Sequence, residues 1–285
     1  MLIKSLFIGI YPVIAIGLLI SPFVGLGSPT WLMALAIIAA LPFPLFLGNL
    51  FRYQTARTSE NLNALYAIPA LALILSVIGI LVTGLESAEY LINVMTITSA
   101  ITGNLLYVFW YSRFGREDNS LLKVGGRLPE FSLKDAAGNS ITSQEIGSQA
   151  SLIMFYRGNW CPLCMAQIKE VAEQYRELEK RGIKIYMVSP QSEGHTGDLA
   201  KRFDVNMNFL IDEDNKAASM LQIVAKNGLP MGLQVLGYDS DTVMPTVVMT
   251  NSEGEIIFAD LTDNYRVRPE PGDFLRVFDG QQAGA

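Results

Sequence analysis

The chain is 285 residues long, 50% hydrophobic and only 17% charged, with a net charge of −6. The acidic balance gives no support to nucleic-acid binding, which would need a basic face. As far as Trp110 the only charged residues are Lys4, Arg52, Arg57, Glu60, Glu86 and Glu89, and the whole negative charge belongs to the remainder. A charge-poor half followed by ordinary soluble composition reads as a membrane region joined to a globular domain.

Apolar stretches near 5–25, 31–50, 63–84 and 90–111 each approach the roughly 20 residues that a bilayer-spanning helix needs. Trp31, Phe51, Tyr53, Tyr90, Trp110 and Tyr111 lie at their ends, where interfacial aromatics belong. The first stretch is too long for a signal-peptide core and no small-residue cleavage site follows, so it reads as a retained helix. Pro42 and Pro44 are expected to kink or interrupt the second. Lys4, Arg52, Arg57, Arg113, Arg116, Lys123 and Arg127 fall on one side of the spans, and the connections 21–30 and 84–89 carry no Lys or Arg. The positive-inside rule then places both termini in the cytoplasm of a bacterial-type inner (cell) membrane, with the lipid bilayer as a partner. A second stretch that turned back on itself would reverse that sidedness. Asn93 and Asn104, inside the fourth stretch, read as helix–helix glue. The expected division is a transmembrane bundle over 1–112, a linker over 113–124 and a soluble domain over 125–285.

From Gly125 onward strands and helices alternate. A hairpin is expected around Gly138-Asn139, then a buried strand over 151–156 and an amphipathic helix from Cys161 to about Arg181. Further strands are expected over 183–189, 208–211, 246–249 and 255–258. Short helices are expected over 199–203 and after Asn215, the latter capped by Asp212 and Asp214, and a terminal one over 271–278. The Gly-rich stretch 225–241 reads as an insertion near the site. Such alternation implies a layered α/β sheet.

The chain's two cysteines sit together in Trp160-Cys161-Pro162-Leu163-Cys164, between the strand and the helix. A helix N-terminus presents unpaired N–H groups and positive dipole charge, both of which favour a thiolate. Two sulfurs one turn apart can also close into a disulfide and reopen by exchange. A structural disulfide is the bland reading, and so small a ring would constrain little chain. Zinc would need about four ligands, and beyond the cysteines the chain has only His195 as a nitrogen donor, which reads as a loop hydrogen-bonder. No motif implies a cofactor.

Leu128-Pro129-Glu130-Phe131, the run Phe155 to Cys164, Val188-Ser189-Pro190-Gln191-Ser192, the run Ile211 to Lys216 and the run Asp263 to Pro271 follow one another in order. On these residues the domain resembles the AhpC/TSA peroxiredoxin-like branch of the thioredoxin superfamily, across about 125–280. The resemblance implies an α/β thioredoxin-like fold, a mixed central sheet flanked by helices, here preceded by an all-α bundle of about four transmembrane helices. It also implies a thiol reductant as partner and a disulfide or hydroperoxide as substrate.

Two chemistries fit. In dithiol exchange, Cys161 is the exposed nucleophile and Cys164 resolves the mixed disulfide. Trp160 shields the pair, Pro162 sets the helix start, and Pro245, in Met244-Pro245-Thr246, stands where the resemblance implies a cis proline against the sulfurs. In peroxidase chemistry Cys164 attacks the hydroperoxide and Cys161 resolves it. The arginine that such enzymes present to peroxide is missing near Met244, with Arg157 as a substitute, and this favours a membrane-anchored dithiol oxidoreductase. A silent binding module is the rival from another class. Tyr265, Arg266 and Arg268 are expected to pack or lie at the surface.

Overall fold

The computed structural model describes residues 1–24 and 27–283, with the side chains of 89 and 281–283 outside the description. The residues form two compact units, one of 6–53 and 58–113, the other of 1–5, 54–57 and 114–285.

The first unit is helical: α1 (Leu2–Ile20), α2 (Thr30–Ala40), α3 (Pro42–Tyr53), α4 (Ala64–Thr83) and α5 (Ser87–Leu105), continued by a π-helical turn over Leu106–Tyr111. Four stretches, Leu2–Val24, Thr30–Tyr53, Ala64–Thr83 and Tyr90–Tyr111, are long and apolar enough to cross a membrane. Pro42 does interrupt the second, yet Leu41 N–H still bonds to Ile37 O and Leu45 N–H to Leu41 O, so the stretch continues through the break. Pro69 inside α4 has no N–H for the carbonyl of Leu65, one turn earlier. Asn104 supplies the missing donor, its Nδ2 lying 2.6 Å from Leu65 O, while Tyr11 Oη donates to Asn104 Oδ1 at 2.7 Å. Asn93 Nδ2 likewise donates to Ser28 Oγ at 2.8 Å, so both asparagines do act as glue. Gly103 lets Tyr11 lie flat on α5, where a Cβ would come within 2.0 Å of the ring.

The second unit is built on a seven-stranded mixed sheet, ordered β2-β1-β5-β4-β3-β8-β9. Its strands are β1 (Ser132–Lys134), β2 (Ser140–Thr142), β3 (Ser151–Phe155), β4 (Lys184–Ser189), β5 (Asn208–Ile211), β8 (Thr246–Thr250) and β9 (Ile256–Asp260), with β6 (Val224–Ala225) and β7 (Thr242–Val243) pairing separately. β3, β4 and β5 run parallel, and β8 lies antiparallel between β3 and β9. The central strands bury both faces, which is why they read as continuous apolar runs rather than alternations. Ile153, Phe155, Val188, Leu210 and Val248 pack on one side with Ile146 of α6 (Ser143–Gly147) and Ala217 of α10 (Lys216–Met220). Phe258 meets Phe274 of α11 (Pro271–Ala283) edge-on at 5.9 Å.

Several local expectations need correction. The helix after the cysteines is two, α7 (Pro162–Glu173) and α8 (Tyr175–Lys180), because Gln174 leaves helical geometry and its N–H turns to nearer carbonyls. The helix expected over 199–203 is α9 (Glu193–Ala200), capped by Ser192. Two glycines and no apolar period hid its start. His195 therefore lies in a helix, its ring stacked on Tyr238 at 4.3 Å. Asp212 does cap α10, accepting from the N–H groups of Ala217 and Ala218, whereas Asp214 adopts a left-handed φ of 58° and reaches Lys216 instead. Residues 114–124 are fastened to the domain: Phe114 N–H bonds to Asp263 O, Asn119 Nδ2 to Leu221 O, and Leu122 enters the core.

Candidate active site

β3 delivers the chain to the centre of the sheet's edge, and the loop 156–161 turns it into α7. Gly158 makes that turn at φ 141°, where a Cβ would come within 2.7 Å of Trp160 Nε1. The loop is pinned from the β4–α9 side. Gln191 Oε1 accepts from Asn159 N–H at 2.9 Å, Gln191 Nε2 donates to Tyr156 Oη at 3.1 Å, and Asn159 Nδ2 donates to His195 O at 2.9 Å. Pro162 then stands at the first helical position, its fixed φ suited to the start and its absent N–H not needed there.

Cys161 is the N-cap of α7, its sulfur accepting the N–H of Cys164 at 3.4 Å. The two sulfurs lie 2.7 Å apart as free thiols. Cys161 is 2% exposed and Cys164 is fully buried, which corrects the expectation of an exposed Cys161 nucleophile. Arg268, itself buried, lies against Cys164, and its neighbours Tyr265 and Arg266 are buried too.

Arg268 reaches the pair from 104 residues away in sequence. Its Nη1 and Nη2 both lie 3.6 Å from Cys164 Sγ. Nε donates to Tyr265 O at 2.9 Å, and Nη1 also donates to Gln167 Oε1 at 2.9 Å, so the guanidinium plane is held on two sides. Arg268 is 6% exposed and Arg266 fully buried, which corrects the surface reading of this stretch. A buried guanidinium is tolerated because a compensating negative charge lies beside it.

The two thiols are driven apart in acidity. Burial pushes Cys161 well above the ordinary thiol range, and the facing Cys164 sulfur adds to this. Burial also pushes Cys164 up. The Cys161 S–H, the Arg268 guanidinium, the backbone N–H of Arg157 and that residue's own charge outweigh it and bring Cys164 down to about 5. Both shifts point the same way, towards negative charge on Cys164 rather than on Cys161.

The remaining expected site residues fall around this centre in different ways. Arg157 is 5% exposed rather than a surface charge; its guanidinium stacks on Trp160 at 4.5 Å and Nη2 donates to Gly228 O. The 225–241 insertion thus does touch the site through Gly228. Pro245 is trans, since the described residues contain no cis peptide bond. The Met244–Pro245–Thr246 turn is instead held from outside: Met244 N–H bonds to Ile223 O, and Arg116 Nη2 donates to Pro245 O at 3.0 Å. Gln167, which steadies Arg268, carried no signal in the sequence beyond its place one turn after Cys164.

The sheet order, the parallel β3–β4–β5 core and a cysteine pair at the start of the helix after β3 define a thioredoxin-like fold of peroxiredoxin type. Residues 124–259 match the model of the AhpC/TSA family. Peroxiredoxin Bcp of Escherichia coli (strain K12) is 26% identical over 102 residues, 36% of this chain and 65% of that protein. Thiol-disulfide oxidoreductase ResA of Bacillus subtilis (strain 168) is 24% identical over 137 residues, 48% of this chain and 66% of that protein. Among solved structures, AhpC of Mycobacterium tuberculosis aligns with a TM-score of 0.44 at 17% identity, covering 57% of this chain and 95% of that one. The chain is an enzyme of the peroxiredoxin-like thiol oxidoreductase class. Arg268 lies beyond the matched segment.

Proposed function

We propose that the chain is a membrane-anchored thiol peroxidase in which Cys164 is the peroxidatic cysteine and Cys161 resolves it. The observation that carries this reading is the double approach of the Arg268 guanidinium to Cys164 Sγ at 3.6 Å. It supplies from 263–271 the arginine that the Met244 region lacks, and it charges the sulfur that dithiol exchange would leave as the resolving partner. Burial argues the same way. A hydroperoxide is small, whereas a protein disulfide would have to reach a Cys161 sulfur that is 2% exposed and holds its proton.

The Cys164 thiolate attacks the outer oxygen of ROOH; the O–O bond breaks, Cys164 becomes a sulfenic acid, and RO⁻ takes up a proton to leave as ROH. Cys161, losing its proton, then attacks the Cys164 sulfur and expels water, forming the Cys161–Cys164 disulfide. A thiol reductant supplies two electrons and two protons to restore the pair. Arg268 steadies the starting thiolate and the charge on the departing oxygen. Arg157 and Trp160 close the site as a stacked pair. Buried Gln167 Nε2 and Arg157 Nε have no hydrogen-bond partner among the described residues and are donors that a peroxide oxygen could use. Residues 1–112 would anchor the enzyme in a bacterial-type inner membrane as a multi-pass bundle, with 113–124 leading to a cytoplasmic domain over 125–285.

Peroxide consumption and sulfenic-acid trapping in two variants test this. Cys164→Ser should abolish the reaction with hydrogen peroxide. Cys161→Ser should react once and accumulate sulfenic acid at Cys164, with no intramolecular disulfide. A Cys164→Ser protein that still reduces peroxide would overturn the assignment, and one that captures an insulin-type disulfide as a mixed disulfide at Cys161 would restore the dithiol-exchange reading.

A further inference from the structure

Segment 54–57 joins α3 to α4, lies outside the AhpC/TSA match, and belongs to the same compact unit as residues 114–285. Ala56 is 1% exposed, so the segment is seated rather than draped over the surface. Its Arg57 makes a fan of contacts. Nε donates to Arg268 O at 3.2 Å and Nη2 to Pro269 O at 3.3 Å. Both terminal nitrogens also bond the Glu170 carboxylate, Nη1 at 3.3 Å, and Nη1 lies 3.7 Å from the Glu270 carboxylate.

Glu170 stands on α7, where residues three and four apart share a face. Cys164, Gln167 and Glu170 therefore form one stripe along that helix. Cys164 meets the Arg268 guanidinium, Gln167 holds its Nη1, and Glu170 reaches the Arg268 backbone through Arg57. The thiolate's helix and the arginine's segment are thus joined at the side-chain end by Gln167 and at the backbone end by Arg57.

We propose that Arg57 is a positioning residue for the thiolate: by binding the Arg268 and Pro269 carbonyls to Glu170, it fixes the distance between the Arg268 guanidinium and Cys164. The proposal rests on the reading of Cys164 as the peroxidatic thiolate. Arg57 acts through geometry rather than its own charge, which Glu170 and Glu270 already face. An ammonium could keep that charge but could not span two carbonyls and a carboxylate with one rigid fork.

The test is the pH profile of Cys164 alkylation in the full-length protein, in a Cys161→Ser background, with the rate of sulfenic-acid formation from hydrogen peroxide as a second readout. Arg268→Ala is the reference and should raise the profile's midpoint by about 1–3 units. Arg57→Ala should raise it in the same direction by a smaller amount and slow the peroxide step about tenfold, as a sub-ångström displacement would. Arg57→Lys should recover only part of both effects, and Glu170→Gln should shift the midpoint less than Arg57→Ala does. These last two variants decide the matter if Arg57→Ala does not fold. Wild-type midpoints and rates in Arg57→Ala and Glu170→Gln, beside a shifted Arg268→Ala, would overturn the role of Arg57 alone. An Arg268→Ala midpoint that also fails to move would overturn both this role and the peroxidatic assignment.

Discussion

The helical unit and the sheet unit bury polar groups for opposite reasons. In the bundle Leu81, Val82 and Val13 are 70–81% exposed while Asn104, Asn93 and Ser76 are buried. Each of these polar groups answers a local backbone or side-chain need, as Asn104 answers the carbonyl that Pro69 leaves unserved. In the sheet unit the apolar residues of the central strands face inward, and Arg157, Arg266 and Arg268 are buried, as are the two cysteines. Charges placed there are costly unless a partner compensates them. Neutral glue marks a packing problem solved in place. Buried cations beside a cysteine pair mark a candidate site.

The comparison can be pressed hardest at Arg268. Replacing it with alanine should slow sulfenic-acid formation about 100-fold, the usual loss when one preorganised charge donor leaves a reacting centre. Stopped-flow mixing with hydrogen peroxide measures this, and a rate within a factor of about three of wild type would reduce Arg268 to a packing residue. A smaller effect comes from pH. Cys164 is held down to about 5, so the reactive form dominates above that value and is lost as pH falls through it. Its alkylation rate should therefore be flat from about pH 8 to 6 and fall about tenfold by pH 4, against an unperturbed thiol that would already be failing near 8.5. A midpoint near the unperturbed value would mean that neither Arg268 nor Cys161 acts on the sulfur. The smallest effect belongs to the bundle. Asn104→Leu should destabilise it by about 1 kcal/mol, stranding the Leu65 carbonyl and the Tyr11 hydroxyl, with no change in the peroxide rate. Thermal unfolding in detergent, run beside the peroxide assay, separates the two.

Much of this was legible in the residues. The charge-poor first half, the apolar stretches, the order of strands and the strand–CxxC–helix unit follow from composition and period, which are local properties of the chain. What failed was equally physical. Helix α9 begins on Glu193-Gly194-His195, where no apolar spacing announces it and a Ser192 cap does the work. Gln174 breaks the helix expected to run to Arg181 without any glycine or proline to signal it. The arginine that lies against Cys164 belongs to the segment before α11, and distance along the chain gives no hint of such a meeting.

By itself the sequence determined that two sulfurs stand at the head of one helix, because their spacing and the flanking strand and proline leave no other local arrangement. It could not decide which sulfur carries the charge. That depended on a guanidinium arriving from the far end of the domain, on the backbone N–H of Arg157 and on how deeply each thiol is enclosed. Electrostatic preference acts through space and solvent exposure, and only the packed tertiary structure sets either.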